Sequence, residues 1–152
     1  MSVVKILPSY ATIEIEPNSK EIIFPDNFNI QIKPGSIPTS VTHITFGKWF
    51  NQVLEIGVIP ASVTHLTFGY NFNQKLEVGV IPSSVTHLTF GNGFNRELEV
   101  GVIPESVTYL RFDIGFHQVL VGVIPKNNID IYLYYTYDFK SLPLNTNARF
   151  FI

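Results

Sequence analysis

Ile-Pro recurs at Pro38, Pro60, Pro82 and Pro104, each 22 residues after the last, and once more at Pro125 after 21. A fixed period of this size marks an array in which no unit can bury its apolar face alone, so each must stack on its neighbours. The unit reads Ile-Pro-x-Ser-Val-Thr-His-Leu-Thr-Phe-Gly-x-x-Phe-Asn-x-x-Leu-Glu-Val-Gly-Val from Ile59 to Val80 and again from Ile81 to Val102. Decayed copies flank it. Pro17 leads to Ile22, Phe24, Phe28 and Asn29, and Pro125 leads to Ile131, Leu133 and Tyr137; fainter still are Pro8 with Ile13 and Ile15, and Pro143 with Phe150 and Ile152. Such ends predict caps, since a terminal repeat has only one neighbour to cover it. The chain therefore divides as one repeat domain over 1–152. Residues 1–37 are a cap and divergent repeat, 38–125 are four regular repeats of 22, 22, 22 and 21 residues, and 126–152 are a divergent repeat and C-terminal cap.

Spacing within the unit sets its local structure. Val41, Ile44 and Phe46 are apolar while His43 and Thr45 between them are polar, which is the two-residue alternation of a half-buried strand. Gly47, Gly69 and Gly91 follow the strand and are expected to turn the chain through backbone angles closed to other residues, with Asp113 in the fourth copy. The return leg, Leu54-Glu55-Ile56-Gly57 and its copies, alternates again before meeting a proline that can neither donate to a ladder nor extend a helix. The fold expected is all-β: a short solenoid with one parallel sheet and little or no helix. The recurring Phe50, Phe72 and Phe94 stack in its core, and Asn51, Asn73 and Asn95 satisfy turn backbone groups, a ladder that His117 threatens to interrupt.

Composition narrows the function. A net charge of -2 lacks the basic footprint of a nucleic-acid or anionic-membrane binder. With no cysteine there is no disulfide frame, thiolate nucleophile or cysteine metal site. The N-terminal residues lack the apolar core of a signal peptide and no apolar run approaches a membrane span, so a cytoplasmic protein is expected.

The quoted unit resembles the FNIP repeat, in which Ile-Pro-x-Ser-Val-Thr-His-Leu and Phe-Asn appear in each copy. The family is known chiefly from social amoebae and from large DNA viruses of amoebae. The resemblance implies a right-handed leucine-rich-repeat-like solenoid, a role in protein interaction, and a location in host-cell cytoplasm or virion if the source is viral. It brings no catalytic residues and no cofactor.

Four columns invite a chemical reading. His43, His65 and His87, continued by Tyr109 and Asp130, suggest a metal site, but no carboxylate or thiol completes a ligand set except near Asp130, and a polar ladder on the open face is the expectation. Ser40, Ser62, Ser84 and Ser106 repeat at one place, whereas a catalytic triad is a unique site, so turn hydrogen bonding is expected. Glu55, Glu77 and Glu99 read as a device that keeps an exposed surface soluble. The threonines at 45, 67 and 89 would order water, but His at the alternate position and Arg111 break that array.

Specificity belongs where equivalent positions differ. On the strand's outward face His/Thr gives way to Tyr109/Arg111 and then Asp130/Tyr132, and at the turn tips Trp49 and Tyr70 stand out. Trp49, Tyr70, Tyr109, Arg111, Asp130 and Tyr132 are the candidate partner-binding residues. The expected partner is a protein, with a carbohydrate as the alternative at the tips. The aromatic tail through Tyr132, Tyr134, Tyr135, Tyr137 and Phe139 predicts self-association through a terminal edge.

Overall fold

The structure, a computed structural model, describes residues 2–3, 5–6, 13–133 and 148–151. Each 22-residue unit returns to its starting point through three hydrogen-bonded turns. In one coil Phe72 N–H donates to the Gly69 carbonyl (3.3 Å), Val80 to Glu77 (3.2 Å) and Val85 to Pro82 (3.1 Å). Neighbouring coils repeat all three, from Phe50, Val58 and Val63 and from Phe94, Val102 and Val107. Val41 and its copies thus belong to a turn before the strand; they are buried, but they lie outside the alternation.

Among the described residues every regular element is a strand: β1 (Ser2–Val3), β2 (Lys5–Ile6), β3 (Ile13–Glu14), β4 (Glu21–Ile23), β5 (His43–Thr45), β6 (His65–Thr67), β7 (His87–Phe90), β8 (Tyr109–Phe112), β9 (Asp130–Tyr132) and β10 (Arg149–Phe151). Eight of them form one sheet in the order β1-β4-β5-β6-β7-β8-β9-β10, with every pair parallel. Its inward column is Ile22, Ile44, Leu66, Leu88, Leu110 and Ile131. The N-terminal cap differs from a decayed coil, because β2 and β3 pair antiparallel as a separate two-stranded sheet. Phe150, partly buried, packs against the core. Pro8, Tyr134, Tyr135, Tyr137, Phe139, Pro143 and Ile152 lie outside the described residues.

Two files of phenylalanine fill the core. Phe24, Phe46, Phe68, Phe90 and Phe112 stack at 5.1–5.5 Å between ring centroids. Phe28, Phe50, Phe72, Phe94 and Phe116 stack at 5.9–6.1 Å. Offset rings at these distances gain about 0.5–1.5 kcal/mol per pair beyond the area they bury. Beside them the asparagine ladder runs as expected: the side-chain carbonyls of Asn29, Asn51 and Asn73 accept from the backbone N–H of Asn51, Asn73 and Asn95 at 2.9–3.0 Å. His117 still donates its own N–H to Asn95 (2.9 Å), so the ladder reaches one coil further than its side chains do.

The glycines act differently from the expectation. Gly47, Gly69 and Gly91 have no positive φ; they are small because coils meet there, and a Cβ on Gly69 would stand 2.1 Å from the Gly47 carbonyl oxygen. The left-handed residues are Gly35, Gly57, Gly79, Gly101 and Gly122, each third in the turn that precedes Ile-Pro, with φ of 78–90°. That is the type II pattern, and the first copy carries the matching Lys33-Pro34-Gly35-Ser36. The same turn overturns the alternation read into the return leg. Leu54 is buried, but Ile56 sits at the turn's second position and is 65% exposed.

The two glycine files predict two behaviours. Gly69→Ala forces coils apart, because the Cβ meets backbone, and should cost about 3 kcal/mol, the upper end of ordinary overpacking and more than Gly79→Ala. Gly79→Ala, with ordinary contacts but a positive φ, should cost about 1–2 kcal/mol. Urea denaturation of both variants checks the ranking.

Candidate functional site

The open face of the sheet carries two outward columns. The first is Glu21, His43, His65, His87, Tyr109, Asp130 and Arg149; the second is Ile23, Thr45, Thr67, Thr89, Arg111, Tyr132 and Phe151. The imidazoles of His43, His65 and His87 stack face to face with 4.2 Å between centroids and 14° between planes. His87 stacks on Tyr109 (5.4 Å), Tyr109 leans on Tyr132 (4.8 Å) and Tyr132 stacks on Phe151 (4.6 Å). A continuous ribbon of six rings thus crosses diagonally from the first column to the second. Among the described residues, no group of three His, Asp or Glu side chains is placed to hold a metal ion.

Each imidazole is held by its own coil. Nδ1 of His43, His65 and His87 lies 2.8–2.9 Å from the hydroxyl of Thr42, Thr64 and Thr86. Those hydroxyls also reach the carbonyls of Lys20, Thr42 and Thr64 at 3.1–3.2 Å. Partial burial, and then the rings of His87 and His43 on either side, lower the pKa of His65.

Of the six candidates, Tyr109, Arg111, Asp130 and Tyr132 come together at the C-terminal end of this face, on β8 and β9. Asp130 is committed within the chain: Arg149 donates Nε to its Oδ1 at 2.6 Å and Nη2 to its Oδ2 at 2.8 Å. Arg149 escaped the sequence reading because it lies 19 residues from Asp130, off the repeat period. Trp49 and Tyr70 occupy a corner of the coil instead. Both are more than half exposed, and the Lys48 ammonium sits 5.7 Å and 5.6 Å from their ring centroids, bridging them by cation–π attraction.

The remaining columns resolve into structural work. Ser62, Ser84 and Ser106 donate to the carbonyls of Val41, Val63 and Val85 at 2.6–2.7 Å, and Ser40 donates to Pro17 and Ser19. Asn127 takes the place in the next coil and bonds Glu105 and Val107. The glutamate column is partly neutralised by Lys75, which pairs with Glu99 at 3.0 Å and Glu77 at 3.2 Å; hydrogen bonds to Glu99 and Glu77 raise the lysine's pKa. One surface was missed from sequence. Ile56, Val78, Val100 and Val121 form an exposed aliphatic ridge along the type II turns.

With the geometry in hand, comparison with known proteins is direct. The family model described as FNIP Repeat matches residues 11–48, 50–93 and 94–136. The crystal structure of CroV588, a giant-virus protein described as a novel circular leucine-rich-repeat protein, superposes with a TM-score of 0.75 at 36% sequence identity, over 86% of this chain and 20% of that one. The chain therefore spans about one fifth of the length of that neighbour. No curated protein matches it. Among the described residues no helix is long and apolar enough to cross a membrane.

Stability should follow pH through His65. Its folded-state pKa is lowered, so below about 6.5, the ordinary imidazole value, the unfolded chain binds the proton first. The contribution is complete above that pH and is lost as pH falls through the lower folded midpoint. Urea midpoints at pH 7.5 and pH 5 should therefore drop less in His65→Gln than in the parent; an equal drop in both removes His65 from the account.

Proposed function

The chain belongs to the FNIP repeat family, and from that premise we propose that it is a non-enzymatic protein-interaction scaffold whose partner docks across the C-terminal part of the open sheet face. One observation carries this reading. Uniform His/Thr columns end at β7, and Tyr109, Arg111 and Tyr132 replace them with half-buried rings and a guanidinium. Tyr supplies a large contact area with little conformational loss, and both Tyr and Arg are enriched at binding hot spots. Trp49 and Tyr70, on the corner, form a second contact region for the same partner. Asp130 supports the face by fixing Arg149 instead of meeting the partner directly. Repetition speaks against catalysis, because the Ser and Thr hydroxyls that would suggest it bond to the backbone of the coil before, with the His rings tied to those Thr in turn.

A second reading, head-to-tail self-association, is favoured by the neighbour's circular form, in which coils 36% identical to these make up 20% of the chain. Parallel stacking of further coils from another copy would continue the sheet beyond β10.

Capture from cells of the source organism with the parent chain, Tyr109→Ala/Arg111→Ala and Glu55→Gln separates the possibilities. The expected result is one protein retained by the parent and by Glu55→Gln and lost by the double variant. Equal recovery by all three sinks the assignment of the face. For self-association, sedimentation at high concentration should give masses above the monomer's 17.2 kDa, and a monomer at every concentration sinks it.

A further inference from the structure

The histidine row has properties that interaction scaffolding does not use. Three imidazoles lie 4.2 Å apart on consecutive coils, close enough that a charge on one opposes a charge on the next. The hydrogen bonds around them are indifferent to protonation. A threonine hydroxyl has one hydrogen and two lone pairs, so Thr64 can donate to a neutral Nδ1 of His65. It can equally accept from Nδ1–H and turn its own hydrogen to the Thr42 carbonyl 3.2 Å away. Taking up a proton therefore breaks no bond to the protein. Nε2, the other ring nitrogen, makes no hydrogen bond to the described residues, and His43 and His87 are exposed.

The surroundings decide what happens once the row is charged. On this face β4 supplies Glu21 beside His43, with Lys20 preceding it; β8 supplies Tyr109 beside His87 and Arg111 one column over. Beyond Tyr109 the carboxylate of Asp130 is already paired with Arg149. Among the described residues of this face Glu21 is the carboxylate without an ion pair, and it stands beside His43 at the end of the row, so charge on His65 and His87 must be balanced from outside.

We propose that His43, His65 and His87 form a proton-operated switch on the open face of the sheet, a stack of neutral rings at neutral pH that becomes in acid a cationic row that takes an oxyanion. At neutral pH the three rings stack and offer only neutral hydrogen bonds. In acid, repulsion loosens the stack, and an oxyanion bound along the Nε2–H groups offsets it. Proton and anion binding are then linked: each strengthens the other by the same factor. The lowered pKa of His65, flanked by both other rings, fits a row whose charges oppose one another. The switch deepens the proposed interaction face but is measured on the isolated chain, so it stands or fails independently of any partner.

Inorganic sulfate is the probe, since it does not titrate in this range. Histidine Cε1–H resonances followed by NMR should show the His65 midpoint moving up when sulfate is added, and moving up also, without sulfate, in His87→Gln. Sulfate affinity read from the same shifts should rise at least tenfold from pH 7.5 to pH 5 in the parent and in Glu55→Gln. It should rise less than threefold in His43→Gln/His87→Gln. Equal affinity at both pH values, a rise that survives the double substitution, or a His65 midpoint indifferent to its neighbours would each overturn the switch. Failure of the capture experiment with an intact sulfate response would overturn only the partner assignment.

Discussion

Backbone hydrogen bonds between successive coils are the constraint on which the rest depends. They run beyond the sheet, because Thr64 N–H donates to the Thr42 carbonyl at one corner and Asn71 N–H to the Lys48 carbonyl at another. At the second corner the approach is so close that Gly69 cannot carry a Cβ. Once backbones are locked at one strand spacing, equivalent side chains have to lie on top of one another. The repeat is then a selection for residues that tolerate their own kind as neighbours.

Different columns meet that requirement by different physics. Phenylalanine rings stack offset and bury large apolar areas. Asparagine uses its amide as an acceptor for the N–H one coil up, so that a polar side chain repeated in register satisfies the backbone instead of competing with it. Serine does the same with its hydroxyl toward a carbonyl. Carboxylates do not tolerate themselves, and in the glutamate column Lys75 sits between Glu77 and Glu99. Histidine tolerates itself while neutral, with rings stacked 4.2 Å apart.

Where local chemistry repeats with the period, it is legible in the sequence, as in the strand alternation of Ile44 and Phe46, the two phenylalanine files and the asparagine ladder. Misreadings arise where two causes wear the same residue. The unit from Ile59 to Val80 has two glycines, one small because another backbone touches it and one left-handed in a turn, and composition cannot tell Gly69 from Gly79. Alternation likewise misplaces Ile56, because the turn bond from Val58 to Glu55 ends the extended leg one residue earlier than the pattern implies. Arg149 continues the column of Asp130 but only 19 residues on, so the period does not place it there, and the diagonal from Tyr109 to Tyr132 crosses from one column to the other.

Departures from the repeat also cluster in space. The coil that begins with Tyr109 and Arg111 is the one that ends a residue short, closing at Pro125 after 21 positions. Leu120 there provides both the buried side chain and the carbonyl that Val123 N–H requires, two roles that Leu98 and Glu99 divide in the coil before. The shortened leg drops the glutamate, and a depression of about 230 Å³ opens beside it between Val100–Gly101 and Gly122–Val123. One coil therefore loses uniformity on the sheet face and on the opposite turn together. Neither change is needed to stack coils, since the three before it stack without them.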